Sequence, residues 1–151
     1  MLVSIIIPCY NSEHTIGKVV ELAIQEFEKL ENYECEFVLV NDYSRDGTWN
    51  SIRSLTDRYP NVKGINLAKN FGQHNAIMAA LSQAEGDLIV GMDDDMQNHP
   101  SQIPQFLNKM EEGYDIVFGV FKQRKFSVMK NITGAISRYL LWHLLDRPKD
   151  I

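Results

Sequence analysis

Three consecutive carboxylates in the stretch GDLIVGMDDDMQNHP, residues 86–100, are the first place to look for chemistry. Like charges this close repel, so the turn that carries them needs either full solvation or a cation. They follow an apolar run that reads as a buried strand. Where the chain is still extended, residues two apart share a face, so Asp93 and Asp95 are expected to point one way and Asp94 the other. Gln97 continues the parity of the first pair. Two carboxylates and an amide oxygen form a hard ligand set that suits Mg²⁺ or Mn²⁺ rather than a soft metal. Such an ion keeps open positions and commonly bridges the phosphates of a substrate. The same turn could equally be a solvated acidic loop, favoured by the N-terminus of the helix that follows.

The elements around this turn bear on the choice. VSIIIP, near-continuously apolar and β-branched, predicts a strand buried on both faces. Ile16, Val19, Val20, Ala23, Ile24, Phe27 and Leu30 recur every three or four residues and predict a helix with one apolar stripe. CEFVLVND predicts a second strand. The turn SRDGT follows it, with Thr48 as N-cap of a helix that buries Trp49, Ile52, Leu55 and Tyr59. VKGINL predicts a third strand, and Ala76, Ile77, Ala80, Leu81 and Ala84 a third helix, terminated by a left-handed Gly86. DLIVGM is the fourth strand, PSQIPQFLNKMEEG a helix closed by Gly113, and YDIVFGV a fifth strand. This alternation predicts an α/β fold, a mostly parallel sheet flanked by helices and joined by right-handed crossovers. In such sheets ligands bind beyond the carboxyl ends of the strands, which is the edge where MDDDMQN falls.

Composition narrows the possibilities. With 44% hydrophobic and 23% charged residues in 151, this is ordinary globular material rather than a disordered chain. Cys9 and Cys35 sit in predicted strands and read as reduced core residues, with neither the number nor the spacing of a disulfide framework or zinc site. The start lacks the pattern of a signal peptide, and the apolar runs fall short of the roughly 20 residues that span a bilayer, so the expectation is a cytoplasmic chain or the cytoplasmic part of one. The net charge of −5 hides an asymmetry: residues 1–120 hold 8 Lys/Arg against 18 Asp/Glu, and residues 121–151 hold 7 against 2. The acidic body argues against nucleic acid as a partner. The boundary divides an α/β part, 1–120, from a basic amphipathic helical segment, 121–151. Neither a GxGxxG after a strand nor a GxxxxGK[ST] occurs, so a diphosphate bound here would need a metal and side chains rather than a glycine-rich cradle.

At this point the motifs resemble a family. IIIPCYNSE is similar to the opening of the inverting family 2 glycosyltransferases, VNDYSRDGT to their VDDGSxDGT segment, and MDDDMQNHP to their DxD metal motif. With LAKNFGQHNAIMAAL, GDLIV and EEGYDIVFG in this order, residues 3 to about 125 resemble the branch that transfers sugars to polyprenyl phosphates, which includes dolichol-phosphate mannose synthases and the undecaprenyl-phosphate sugar transferases of the formamidoarabinose type. The resemblance implies a Rossmann-like GT-A domain and a nucleotide-sugar donor, with a UDP-sugar favoured and GDP-mannose open. It also implies Mg²⁺ or Mn²⁺ as cofactor and a polyprenyl-phosphate acceptor.

Carried over residue by residue, it places Pro8, Tyr10, Asn11, Glu13, Asp42, Asp93 and Asp94 at the nucleotide. It places Asp93, Asp95 and Gln97 at the metal, and Arg124 at the donor phosphates or the acceptor. Asp93, Asp95 and Arg124 are thus the candidate catalytic residues. Asn41, Tyr43, His99 and Phe121 depart from the family pattern. The family's further acid, in a segment ending GxFR, has no counterpart before Ile151, so the chain reads as the donor-binding portion of a longer enzyme. A donor-binding module without turnover is the alternative. A signalling receiver domain shares the acidic pocket but needs paired acids after its first strand, where this chain has Pro-Cys-Tyr-Asn.

The bland readings stay open for single residues: Asn11 and Ser12 as a plain helix start, and Asp42 and Asp46 as turn formers. Phe126, Met129, Ile132, Ile136, Tyr139, Leu140 and Leu144 recur at helical spacing among Lys122, Arg124, Lys125, Lys130 and Arg138. That pattern fits a helix packed on the sheet or one lying on an anionic membrane surface. The expected location is the cytoplasmic face of a membrane, with a homo-oligomer among the expected partners.

Overall fold

A computed structural model describes residues 1–119 of the chain. The apolar octet LVSIIIPC forms β1, Leu2–Cys9, and the next three strands are β2 (Glu34–Asn41), β3 (Val62–Asn66) and β4 (Leu88–Gly91). Between them run α1 (Ile16–Phe27), α2 (Thr48–Arg58) and α3 (Gln73–Leu81), and after β4 comes α4 (Ile103–Glu111), entered through a single 3₁₀ turn at Pro100–Gln102. All strand pairs are parallel, in the order β3-β2-β1-β4. The chain therefore builds outward from β1 in one direction and then returns to its other side. The crevice between the carboxyl ends of β1 and β4 lies where the direction reverses, the point at which open parallel sheets bind ligands.

The two faces of the sheet are sorted by strand alternation. Val3, Ile5, Ile7 and Cys9 of β1, with Phe37 and Leu39 of β2, pack against Ile16, Val19, Val20 and Ala23 of α1 and Ile52 of α2. Ile6, Val38 and Val40 face the other way, onto Ala76 and Ala80 of α3. Small alanines bring α3 close to the sheet. Met1–Val117 form one compact unit. The predicted basic segment 121–151, with Arg124, lies outside the described residues.

Three sequence expectations need correction. Thr48 is the first residue of α2 rather than its cap. The capping acceptor is Asp46, whose Oδ1 takes the Thr48 N–H at 3.0 Å and the Thr48 hydroxyl at 2.6 Å. Gly86 does not close α3, which ends at Leu81, and it is not in a left-handed conformation. A Cβ there would stand 2.6 Å from the Ser4 amide nitrogen, so glycine is required by the close approach of two backbones. The closure expected at Gly113 is present, and the glycine is left-handed at φ 95°. The fifth strand is absent from residues 114–119: Tyr114 and Ile116 are exposed and no described backbone pairs with them. Strand propensity alone does not make a strand, because it reflects packing against neighbours that the run must also find.

Candidate functional site

A cavity of about 490 Å³ opens at the carboxyl edge of the sheet, at the reversal point. The end of β1 contributes Pro8, Cys9 and Tyr10, and the end of β2 contributes Asp42. Asn70, Gly72 and Gln73 come from the β3–α3 turn, and Asp93, Asp94 and Asp95 from the turn after β4. Of the residues predicted at a nucleotide or metal, Pro8, Tyr10, Asp42, Asp93, Asp94 and Asp95 are brought together here. Asn11, Glu13 and Gln97 are not among the lining residues.

Strand alternation does not orient the three acids, because β4 ends at Gly91 and the chain bends sharply at Met96, with φ 63°. Asp94, expected to point away, lines the cavity beside the other two and accepts the Tyr10 N–H at Oδ2, 2.9 Å. That bond ties the acidic turn to the end of β1, its neighbour in the sheet. Asp93 accepts Asn98 Nδ2 at 3.1 Å on one oxygen and is approached by Gln73 Nε2 at 3.4 Å on the other. Asp95 accepts the Gln97 N–H at 3.0 Å, while the Gln97 residue itself is exposed. None of Asp42, Asp93, Asp94 and Asp95 makes an ion pair with a described residue. No three His, Cys, Asp or Glu side chains converge into a complete metal cage among the described residues. An ion held here would complete its shell from elsewhere.

Asn11 and Glu13 brace the site instead of lining it. Asn11, at φ 55°, donates its N–H to Ser44 Oγ (3.0 Å) and accepts the Arg45 N–H (3.0 Å). Glu13 accepts the Gly47 N–H with its carboxylate and donates its own N–H to Asp46 (3.2 Å). The Ser12 N–H reaches Thr48 Oγ1 at 2.7 Å. The loops after β1 and β2 are thus stitched into one rigid unit. Burial works to raise the Asp46 carboxyl, but the bonds from Thr48 and Glu13 outweigh it and hold its pKa below the ordinary value. Cys9 also lines the cavity, its thiol pointing to Ile7 O at 3.4 Å, and burial, aided by the charge of Asp94, pushes that thiol far up.

Sequence reading missed Cys9, Asn70, Gln73 and Asn98. The first three line the cavity, and Asn98, with Gln73, contacts Asp93. The flanking positions offered the one available signal, since NFGQ follows β3 and so must emerge on the same sheet edge as the acids.

The Glycosyl transferase family 2 model matches residues 4–144. An undecaprenyl-phosphate 4-deoxy-4-formamido-L-arabinose transferase from Proteus mirabilis is 41% identical over 116 residues, covering 76% of this chain and 35% of that protein. Its Shewanella sediminis counterpart is 40% identical over 140 residues, covering 92% and 42%. The chain therefore spans about two-fifths of the length of these relatives. A mannosyltransferase from Pyrobaculum calidifontis, solved with GDP-Man and Mn²⁺, superposes with a TM-score of 0.53 at 28% identity, over 62% of this chain and 27% of that one. Glucosyl-3-phosphoglycerate synthase from Mycobacterium tuberculosis superposes at 0.61 with 22% identity, over 95% and 50%, a likeness of fold.

Proposed function

From a chain that belongs to glycosyl transferase family 2 and carries its GT-A fold, we propose donor-binding chemistry for a metal-dependent, inverting sugar transfer from a nucleotide diphosphate, UDP favoured, to a polyprenyl phosphate. The observation that carries the reading is the cavity at the reversal point of the sheet, with four carboxylates in its wall and no described cation paired to them. The relatives' names supply the acceptor class. The Mn²⁺ of the Pyrobaculum complex supports the metal.

Asp93 and Asp95 offer hard oxygen atoms of the type Mg²⁺ or Mn²⁺ takes, and these two residues would hold it, with Gln97 added on the resemblance alone. When bound, the ion would neutralise the diphosphate of the departing nucleotide. Tyr10, half-exposed at the mouth, offers a ring against which a base can lie. The Tyr10–Asp94 bond keeps that ring's backbone in register with the acids. A phosphate acceptor is already anionic and attacks the anomeric carbon without deprotonation. Arg124 and the basic segment 121–151 would meet such an acceptor at an anionic membrane surface. No described helix is long and apolar enough to cross a membrane.

Calorimetric titration of the 151-residue chain with UDP and with GDP, each with and without Mn²⁺, tests the reading. The expected result is tighter UDP binding that needs the metal and is lost in EDTA or in Asp95→Ala. Affinity unchanged by both would overturn it.

A further inference from the structure

Among the described residues, three that are not glycine hold a positive φ: Asn11 at 55°, Tyr43 at 57° and Met96 at 63°. A side chain in that conformation costs stability and persists only where the surrounding structure enforces it. Two of the three have an evident reason. Asn is a residue type that visits the left-handed region readily, and Asn11 is bonded twice to the loop after β2. Met96 is drawn inward and packs against the larger core cluster. Tyr43 has neither reason. It is bulky, 55% exposed and outside both core clusters. Glycine suits this backbone, and the segment VDDGSxDGT, which VNDYSRDGT resembles, carries glycine there.

The residues on either side keep Tyr43 in place. Before it, the Asp42 N–H is bound to Cys9 O at 2.9 Å. After it, Ser44 donates its N–H to Asn41 Oδ1 at 3.2 Å and accepts the Asn11 N–H at Oγ, 3.0 Å. Asn41 is itself buried, with Nδ2 anchored to Asn66 Oδ1 at 2.7 Å. Strained residues over-determined in this way cluster where side chains serve ligands. Asp42 lines the cavity, so Tyr43, next along the chain, stands at its rim. Tyr10 is at the cavity as well, 50% exposed. The two tyrosines immediately precede Asn11 and Ser44, so one hydrogen bond holds both backbones in register.

We propose that Tyr43 is a base-contacting residue, its ring joining that of Tyr10 against the nucleobase of the donor. A nucleobase is the planar part of the donor, with the apolar faces that exposed aromatic rings suit, whereas the diphosphate belongs with the cation. This deepens the donor reading and rests on it. Three variants of the full chain separate a ring contact from a structural role. Tyr43→Gly removes the ring and fits the positive φ. Tyr43→Asn removes the ring with a second residue type that tolerates the conformation, and Tyr43→Phe keeps the ring. Each is titrated calorimetrically with UDP and with inorganic pyrophosphate in Mn²⁺, and melted without ligand.

The expected result is that Tyr43→Gly and Tyr43→Asn bind UDP about tenfold more weakly, the size of one aromatic stacking contact. Both should bind pyrophosphate as the wild type does, and Tyr43→Phe should keep its UDP affinity. Tyr43→Gly should melt no lower than the wild type, because the strain is gone. UDP affinity unchanged in the two ringless variants would overturn the proposal and leave the donor reading standing. Equal losses for UDP and pyrophosphate would mean that Tyr43 acts through its loop, and would overturn it too. A lower melting temperature in Tyr43→Gly would show a ring that serves the fold, with the same consequence. A wild-type chain that binds neither ligand overturns the donor reading and this proposal with it.

Discussion

At the amino ends of the strands, Glu36 and Glu85 meet Lys63 Nζ at 2.9 and 2.8 Å, and Glu36 also accepts the Ser4 hydroxyl and the Glu85 N–H. At the carboxyl ends of the same sheet, Asp93, Asp94 and Asp95 hold one another's company with amides and backbone N–H groups and no described cation. The first cluster is a charge-paired joint, two carboxylates sharing one ammonium, that fastens the α3–β4 connection to β1 and β2. The second leaves negative charge facing a cavity. Like charges so arranged repel one another, and the contrast supports the proposal that the second cluster serves a ligand.

The sharpest way to break the comparison is to neutralise one residue at the cavity. Asp93→Asn preserves shape and an acceptor for Asn98, so the fold should melt where the wild type does. Its affinity for UDP in Mn²⁺ should fall by about a hundredfold or more, since even an outer-shell partner of a metal is worth about 10–100-fold and Asp93 is proposed to hold the ion directly. Calorimetry paired with a thermal melt gives both numbers. Equal affinity, or a collapse of the melting temperature, would make the acidic turn a structural joint like the other cluster.

That contrast also explains what could be read from residues alone. Strand and helix periods are local, so Ile5 and Ile7 against Ile6, or the Ile16–Val19–Val20–Ala23 stripe, announced the fold and its two covered faces. Spacing also carried the acids to the correct edge. The partners of each acid were not local. Asp94 meets Tyr10 only because β4 returns beside β1, and Asp42 meets Gly72 only because β3 ends beside β2. Asn11 and Glu13 look like ligand residues in a motif, and their side chains also join two loops, a use that no spacing discloses. In the YDIVFGV run the strand-like pattern is present, yet residues 114–119 form no described strand.

The amino-end cluster should respond in the reverse sense. Glu36→Gln removes the buried partner of Lys63 and leaves a donor beside Ser4 and the Glu85 amide, at a cost of about 2 kcal/mol of stability with UDP affinity intact. The pH dependence has a definite sign. Burial works to raise the Glu36 carboxyl, but Ser4, the Glu85 amide and Lys63 together hold it below its ordinary value. A depressed folded pKa gives stability that is present above the unfolded value, about 4.3, and is lost as pH falls through the folded one. Thermal melts from neutral to acid pH should therefore drop more steeply below about pH 4 in the wild type than in Glu36→Gln. Parallel curves would deny Glu36 its role in the joint.

The smallest effect is the most specific to the comparison, because it is a gain. Asp95 is exposed, and Asp95→Asn keeps the oxygen that accepts the Gln97 N–H while deleting one of three adjacent charges. Relief of repulsion between solvated charges is worth about 0.5 kcal/mol, which in a domain of this size raises the melting temperature by about 1–2 °C. The rise should shrink in high salt, where repulsion is screened. Adding Mn²⁺ with UDP should reverse the order: the wild type gains stability in proportion to the ligand it binds, and the variant does not. A turn that is merely solvated would show the first change without the second, and a turn already neutralised within the protein would show neither. The crossing of the two melting temperatures on adding metal and nucleotide is the behaviour expected of acids held apart for a cation.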